Sequence, residues 1–284
     1  MTVYSIIVCY QPDLRILNHL IESIINQSSK VVIVDNSEVN NLSKFKSCDI
    51  LTLGENKGIS YAQNKGIEYA KSKGANAFVF FDQDSEIENN FFKNILQNMT
   101  ISDLSVFSPL IIDKISNQIF PSIRLNYLGL TKKVHFSKKS EPALVDLIIS
   151  SGSCLNLKTL NFVGLMDEDL FIDFVDTDWS LRCKEKKVPI YIMPNAILKH
   201  SIGERNFKIL NFTFFLHNNK RVYYQIKNCL SLFKKSHVSM LFVMKELLSL
   251  LFHDFFLFFI SKNKIQFLKF SFLGFRDGFK FLIK

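Results

Sequence analysis

The chain has 284 residues, 48% of them apolar, with a formal net charge of +9. That apolar share supplies a sizeable core and excludes a disordered chain. The length suits one large domain or a domain with an appendage.

Residues 3–10 read as a buried strand, broken by Pro12. Asp13 is placed to cap a helix whose apolar face is Leu17, Leu20, Ile21, Ile24 and Ile25. Residues 31–34 form a second buried strand that ends at Asp35-Asn36-Ser37, and residues 50–53 a short third. Asn56-Lys57-Gly58 leads into a helical pattern through Ile59, Ala62, Gly66 and Ala70, which Gly74 stops. Residues 78–81 form a fourth strand, closed by Asp82-Gln83-Asp84-Ser85. Buried apolar strands alternating with amphipathic helices predict an α/β fold with a doubly wound, mostly parallel sheet. Polar residues collect just after the strand ends, where such a sheet binds ligands.

Side chains two apart on an extended chain share a face, so Asp82 and Asp84 converge at the end of their strand. Two hard oxygen donors beside a nucleotide pocket suit Mg²⁺ or Mn²⁺ holding a diphosphate. The alternative is a strand ending in a solvated acidic turn.

Residues 106–112 predict a further strand, and residues 113–142 show no clear period. Residues 144–149 predict another strand, running into Ser150-Ser151-Gly152-Ser153. Gly152 reads either as a close-approach glycine beside a ligand or as a turn glycine. Acids alternate with apolar residues from Asp173. A helix with acids in its first turn is expected from near Asp176, carrying Trp179, Leu181, Arg182 and Cys183 until Pro189. Residues 190–193 form a strand, and His200-Ser201-Ile202-Gly203 close a first domain, residues 1–204.

The remainder, residues 205–284, differs in kind. It holds 14 Lys and Arg against 3 Asp and Glu, a net of +11, and 17 of the 29 Phe, whereas residues 1–204 net −2. A basic, aromatic and helical tail points to an anionic partner. No nucleic-acid-binding motif accompanies the charge, so the expectation is a membrane surface and no nucleic acid. Residues 218–232 look helical. Met240–Ile260 is long enough for a membrane span, but Lys245, Glu246, His253 and Asp254 interrupt it and are read as gathering near one side with Ser249. The expectation is an amphipathic helix at a membrane interface or packed on the domain. Lys262, Lys264, Lys269, Lys280 and Lys284 would meet anionic lipid. The alternative is a basic helical bundle completing a soluble fold. The five cysteines are odd in number and none has a partner at metal-ligand spacing, which predicts free thiols in a reducing cytosol. No export signal is read at the start, so the expected place is the cytoplasm, peripheral on the inner face of the membrane.

Taken in order, these blocks resemble the family 2 glycosyltransferases with the GT-A fold, and within them the bacterial rhamnosyltransferase branch. The blocks are Tyr10-Gln11-Pro12 after the first strand, then Val34-Asp35-Asn36-Ser37, then Asn56-Lys57-Gly58 with Ala62, Asn64 and Gly66. Phe81-Asp82-Gln83-Asp84-Ser85 and Ser151-Gly152-Ser153 follow, then residues 171–182 with Val175-Asp176-Thr177-Asp178-Trp179, and His200-Ser201-Ile202-Gly203. Two departures stand out. Cys9-Tyr10-Gln11 replaces the usual Thr-Tyr-Asn, and Val175-Asp176 replaces the common Glu-Asp, leaving Asp176 alone in the place of the catalytic base.

The resemblance implies an inverting transfer of a sugar from a nucleoside diphosphate donor, best L-rhamnose from dTDP-L-rhamnose. The acceptor would be a lipid-linked saccharide of a surface polysaccharide such as O-antigen. A hexosyltransferase using a UDP-sugar and a non-catalytic sugar-nucleotide-binding protein on the membrane are the alternatives. On this reading Asp84 holds the metal, and Asp82 assists or lies nearer the ribose. His200 contacts the metal or diphosphate, or is structural. Asp176 is the base, or only a helix cap. Tyr10, Asp35 and Asn36 take the nucleobase and ribose, while Asn56, Gly58 and Asn64 shape the loop over them. Gly152 and Arg182 complete the donor contacts, Arg182 alternatively pairing with Asp178 one turn away. Trp179 stacks on the acceptor or fills the core.

Overall fold

The computed structural model describes residues 1–27, 29–39, 41–100, 103–200, 205–209, 212–216 and 219–283. Ser201, Ile202 and Gly203, expected to close the first domain, lie outside the described residues.

The chain opens with β1 (Val3–Cys9), α1 (Leu14–Ile25), β2 (Lys30–Asp35), β3 (Asp49–Thr52), α2 (Ile59–Ser72) and β4 (Ala77–Asp82). It continues with β5 (Glu86–Ile87), α3 (Phe91–Leu96), β6 (Val106–Asp113), β7 (Ser122–Leu125), β8 (Thr131–Val134), β9 (Ala143–Val145), β10 (Cys154–Asn156), α4 (Leu157–Val163), α5 (Val175–Glu185) and β11 (Ile190–His200). The last elements are β12 (Arg205–Ile209), β13 (Phe212–Leu216), α6 (Asn219–Ser231), α7 (Met240–Ile260) and α8 (Lys264–Ile283).

Nine strands form the central sheet in the order β3-β2-β1-β4-β10-β6-β11-β5, with β9 also on β11. The pairs β1–β2, β1–β4, β2–β3 and β6–β11 are parallel, and β10 is antiparallel to both β4 and β6. Alternation sorts each strand's apolar residues onto two faces. Ile6, Val32, Val34, Phe78 and Phe80 pack with Ala62, Ile67 and Ala70 of α2. Ile7, Ile33, Val79 and Phe81 pack with Leu17, Leu20, Ile21 and Ile24 of α1. Strands covered on both sides need continuous apolar runs, and these have them. Asp13 caps α1, accepting from the amides of Arg15 and Ile16 at 2.8 and 3.3 Å.

The structure departs from the sequence reading in several places. Ile25 is exposed rather than on the buried face of α1. The strand expected at 144–149 is only Ala143–Val145, because the chain then turns to serve the site. β10 fills the gap between β4 and β6, but three residues carry no legible period. In the irregular stretch, β7 and β8 form a hairpin.

The C-terminal helices share a core with the first part of the chain: Leu181 of α5 packs with Cys229, Leu232, Phe242 and Val243. In α7, Lys245 and Ser249 face solvent while Asp254 is buried. Lys245, Glu246, Ser249 and His253 fall within one arc of about 100°, but Asp254 leaves the polar side expected there. Residues 245 and 254 are two and a half helical turns apart, so they point in opposite directions. The outward face also presents apolar residues, with Leu241, Met244, Leu248, Phe255 and Phe259 exposed at helical spacing. No described helix is long and apolar enough to cross a membrane. All five cysteines are free thiols.

Candidate active site

Parallel pairing brings the ends of β1, β2 and β4 to one rim, with Cys9 beside Asp35 and Val8 beside Asp82. Gln83 locks this rim. Its Oε1 accepts from the Tyr10 amide at 2.7 Å, and its Nε2 donates to the Tyr10 carbonyl at 3.2 Å. The Ser85 and Ser151 hydroxyls share a buried hydrogen bond of 2.7 Å, and Ser151 Oγ also accepts from the Asp82 amide at 3.3 Å. Gln83 and Ser85, the two non-acidic residues of the motif, are thus structural clamps. The Asp82 and Asp84 side chains stay 31% and 40% exposed.

His200, at the end of β11, stands between these carboxylates. Its Nε2 lies 3.6 Å from Asp82 Oδ2, and its Nδ1 lies 3.5 Å from Asp84 Oδ1. Burial pushes the Asp82 carboxyl above the usual range; His200 pulls it back and Asp84 pushes it further up. Among the described residues, no group of three or more His, Cys, Asp or Glu side chains stands in metal-holding geometry. The residue types are nevertheless ones that ligate divalent cations, carboxylate oxygens above all. Two carboxylates and an imidazole converge, and the buried His200 Nδ1 has no hydrogen-bond partner.

Asp176 joins the same acidic group from α5. It is not the helix cap: Phe174 occupies that position, and Asp176 lies in the first turn. The Ser150 amide and hydroxyl donate to its carboxylate. Ser150 Oγ itself accepts from Gln63 Nε2 at 3.0 Å, which sets the direction of its proton. Burial pushes the Asp176 carboxyl up to about 7, Asp82 and Asp173 add to the rise, and the Ser150 hydrogen bonds oppose it. A carboxylate poised near neutrality suits general-base chemistry.

Beside the rim, Gln11, Pro12, Leu14, Asp35, Ser37 and Leu42 help line a cavity of about 340 Å³. Asp35 is fully buried there. Its Oδ1 accepts from the Ser37 amide at 3.1 Å, whereas Oδ2 is buried with no partner. A buried acceptor left open is costly unless a ligand supplies a donor. Tyr10 projects from the same rim, 41% exposed.

Other expected donor contacts are scaffold. Asn36 Nδ2 donates to Asn56 Oδ1 at 3.0 Å, and its Oδ1 accepts from the Lys57 amide at 2.8 Å. Asn56 Oδ1 also accepts from the Gly58 amide at 3.1 Å. Both side chains therefore shape the loop rather than reach beyond it. Gly58 is needed because a Cβ there would stand 2.5 Å from the Phe171 carbonyl, with φ at +87°. Asn64 is buried and clamps the Met166 backbone, with bonds of 2.9 Å each way. Gly152 combines a φ of +77° with contacts to Pro109 and Leu198, the first at 2.6 Å from an added Cβ, so packing rather than a ligand demands it. Arg182 Nε pairs with Asp178 Oδ2 at 3.1 Å, while its Nη2 is buried without a hydrogen-bond partner. Asp178 lies two residues after Asp176, hence on the far side of α5. Lys235 and His237 also bond Asp178 there, at 2.8 Å each. Trp179 is core, donating from Nε1 to the Gly164 carbonyl at 2.9 Å.

The sequence reading assigned no role to Ser150, Gln63, Asp173 or Arg221. Arg221, on α6, grips Asp173 with Nη2 and Nε at 2.8 and 2.9 Å, and its charge lowers the Asp82 carboxyl. Nothing local marks it, since the contact spans 48 residues of chain.

The Glycosyl transferase family 2 pattern matches residues 5–156. The dTDP-rhamnosyl transferase RfbF of Shigella flexneri is 36% identical over 283 residues, which cover 98% of this chain and 95% of that protein. Among solved structures, GalNAc-T7 with UDP, GalNAc and Mn²⁺ superposes with a TM-score of 0.61 at 14% identity, covering 88% of this chain and 57% of that one. S. aureus TarS 1–349 gives a TM-score of 0.57 at 14% identity, covering 99% and 81%. The same TarS fragment in complex with UDP-GlcNAc gives 0.56, covering 95% and 79%. These likenesses are of overall fold. By sequence and by architecture, the chain belongs to glycosyltransferase family 2.

Proposed function

We propose that the protein transfers L-rhamnose from dTDP-L-rhamnose, with inversion, to a hydroxyl of a lipid-linked saccharide, as in O-antigen-like surface polysaccharide synthesis. The observation that carries this reading is the convergence of Asp176 with Asp82, Asp84 and His200 beside the Asp35 cavity. The choice of donor rests on the similarity to the Shigella flexneri dTDP-rhamnosyl transferase.

In this mechanism Asp35 Oδ2 accepts the imide N–H of the nucleobase, and Tyr10 borders the base. Asp176 accepts the proton of the acceptor hydroxyl as its oxygen bonds to the anomeric carbon. The bond from that carbon to the diphosphate breaks on the opposite face, and its electron pair leaves with the nucleotide. Asp82, Asp84 and His200 would hold Mg²⁺ or Mn²⁺, which when bound neutralises the departing diphosphate.

Asp35 also supports a second reading. Uracil presents the same imide N–H as thymine, so a UDP-sugar would satisfy the same oxygen. Incubation with each donor and a lipid-linked acceptor separates the two. Turnover of dTDP-L-rhamnose supports the first reading; turnover of a UDP-sugar alone overturns it.

The lipid-linked acceptor agrees with the outward face of α7 and α8. Leu248, Phe255, Ile265 and Phe272 are 67, 60, 82 and 68% exposed, among the exposed Lys262, Lys264, Lys269 and Lys280. Apolar rings ringed by lysines fit an anionic bilayer surface. On this reading the protein works in the cytoplasm, peripheral on the inner membrane face.

A further inference from the structure

Two consecutive non-glycine residues, Asp173 and Phe174, have φ of +64° and +63° immediately before α5. A bulky side chain in the left-handed region is an outlier, and such turns persist only when their surroundings fix them. Here the surroundings come from α6. Arg221 grips both oxygens of Asp173 at 2.8 and 2.9 Å. Asn228 Nδ2 donates to the carbonyls of Ile172 and Asp173, at 2.8 and 3.2 Å. The Tyr224 ring stacks on Phe171, centroids 4.6 Å apart and planes 11° apart. Phe171 in turn accepts from the Ile59 amide at 2.8 Å, which ties the turn to α2. The residue that this strained turn delivers to the acidic group is Asp176.

We propose that α6 is a positioning element of the active site, with Arg221, Tyr224 and Asn228 holding residues 171–174 in the backbone conformation that presents Asp176. The inference rests on the reading of Asp176 as the base. Arg221 acts on Asp176 through Asp173, and Arg221→Lys, which keeps the charge that bears on Asp82, separates this positioning from the charge itself. The C-terminal region therefore has a role in turnover separate from any contact with lipid. Lys235 and His237, which bond Asp178 on the far side of the same helix, brace α5 against rotation.

The test uses the full chain and three variants, Arg221→Gln, Arg221→Lys and the double Arg221→Gln/Asp173→Asn. Steady-state transfer gives kcat and donor KM, and titration with dTDP gives nucleotide affinity. Arg221→Gln should lower kcat about 10- to 100-fold, the scale of a displaced catalytic group, with donor KM and dTDP affinity within about twofold. Arg221→Lys keeps the charge but not the fork, and should fall between. Adding Asp173→Asn should restore most of the lost kcat, because asparagine tolerates the left-handed turn and leaves no unpaired carboxylate. An unchanged kcat, a loss confined to KM and dTDP affinity, or a double variant worse than Arg221→Gln would overturn the proposal. Should Arg221→Gln fail to bind dTDP for want of folding, Arg221→Lys carries the same comparison. Asp176→Ala is measured alongside. If it abolishes transfer while Arg221→Gln is neutral, only the role of α6 falls; if it transfers normally, the base reading falls with it.

Discussion

Asp176 and Asp35 show how single residues divide the labour. Asp176 is held in a site that disfavours its charge, so its carboxyl titrates near 7 rather than near the ordinary 3.8. As a base it must be ionised, so kcat/KM should rise with pH and level off above about 7 in a pH–rate profile. Linkage gives the stability consequence. The folded state binds this proton more tightly than the unfolded chain, so the contribution favours folding at low pH and is lost as pH rises from about 4 through about 7. Asp176→Asn should therefore abolish transfer, a loss of about 10²–10⁴-fold, yet melt roughly 2–4 °C higher at pH 8, with the gap closing towards pH 4. Thermal melts at both pH values check this. Asp35→Asn should weaken dTDP binding by about tenfold or more, the effect of about 1–3 kcal/mol for one hydrogen bond to a buried charged group. Calorimetric titration reads it directly. Both residues were legible in the sequence because each follows a clear element boundary. For Asn64, Gly152 and Arg182, motif position does not reveal the contacts that the fold itself makes. Asn64 is spent on Met166, Gly152 faces Pro109 and Leu198, and Arg182 belongs to Asp178.

At the scale of elements, β1, β2 and β4 were readable because burial on both faces forces uninterrupted apolar runs. α1 and α2 were readable from their stripes and stops. β10 was not, because Cys154-Leu155-Asn156 is a strand only through its neighbours Val79, Phe78 and Phe107. Of the polar side assigned to α7, Asp254 failed on geometry, since helical phase places it opposite Lys245. The corrected phase sharpens the expectation for this helix. Its hydrophobic face looks outward and Asp254 inward, where burial raises its carboxyl. Leu248→Glu and Phe255→Glu should each reduce binding to vesicles containing anionic phosphatidylglycerol by about tenfold, the scale of one apolar side chain kept from burial. Co-sedimentation measures it, and transfer to a short water-soluble acceptor should be unchanged.

For the molecule as a whole, the composition break near residue 204 is a change of task within one packed body. Leu181 and Phe174 share a hydrophobic cluster with Cys229, Leu232 and Phe242, and α6 reaches the turn before α5. A chain with a near-neutral sheet domain and a basic Phe-rich end was evident from residue counts. The joining of those parts at the active site was not, because it depends on contacts such as Arg221–Asp173 that leave no local pattern. The architecture concentrates acids at one rim, opens the Asp35 cavity beside them and turns an apolar, lysine-studded face to the outside. Its central claim is single displacement from dTDP-L-rhamnose with Asp176 as base. The most direct measurement is the anomeric configuration of the product, read from its one-bond C1–H1 coupling by NMR after transfer from dTDP-L-rhamnose. The account predicts a product anomer opposite to that of the donor, absent with Asp176→Asn. A product that retains the donor's configuration, or one formed undiminished by Asp176→Asn, would contradict it.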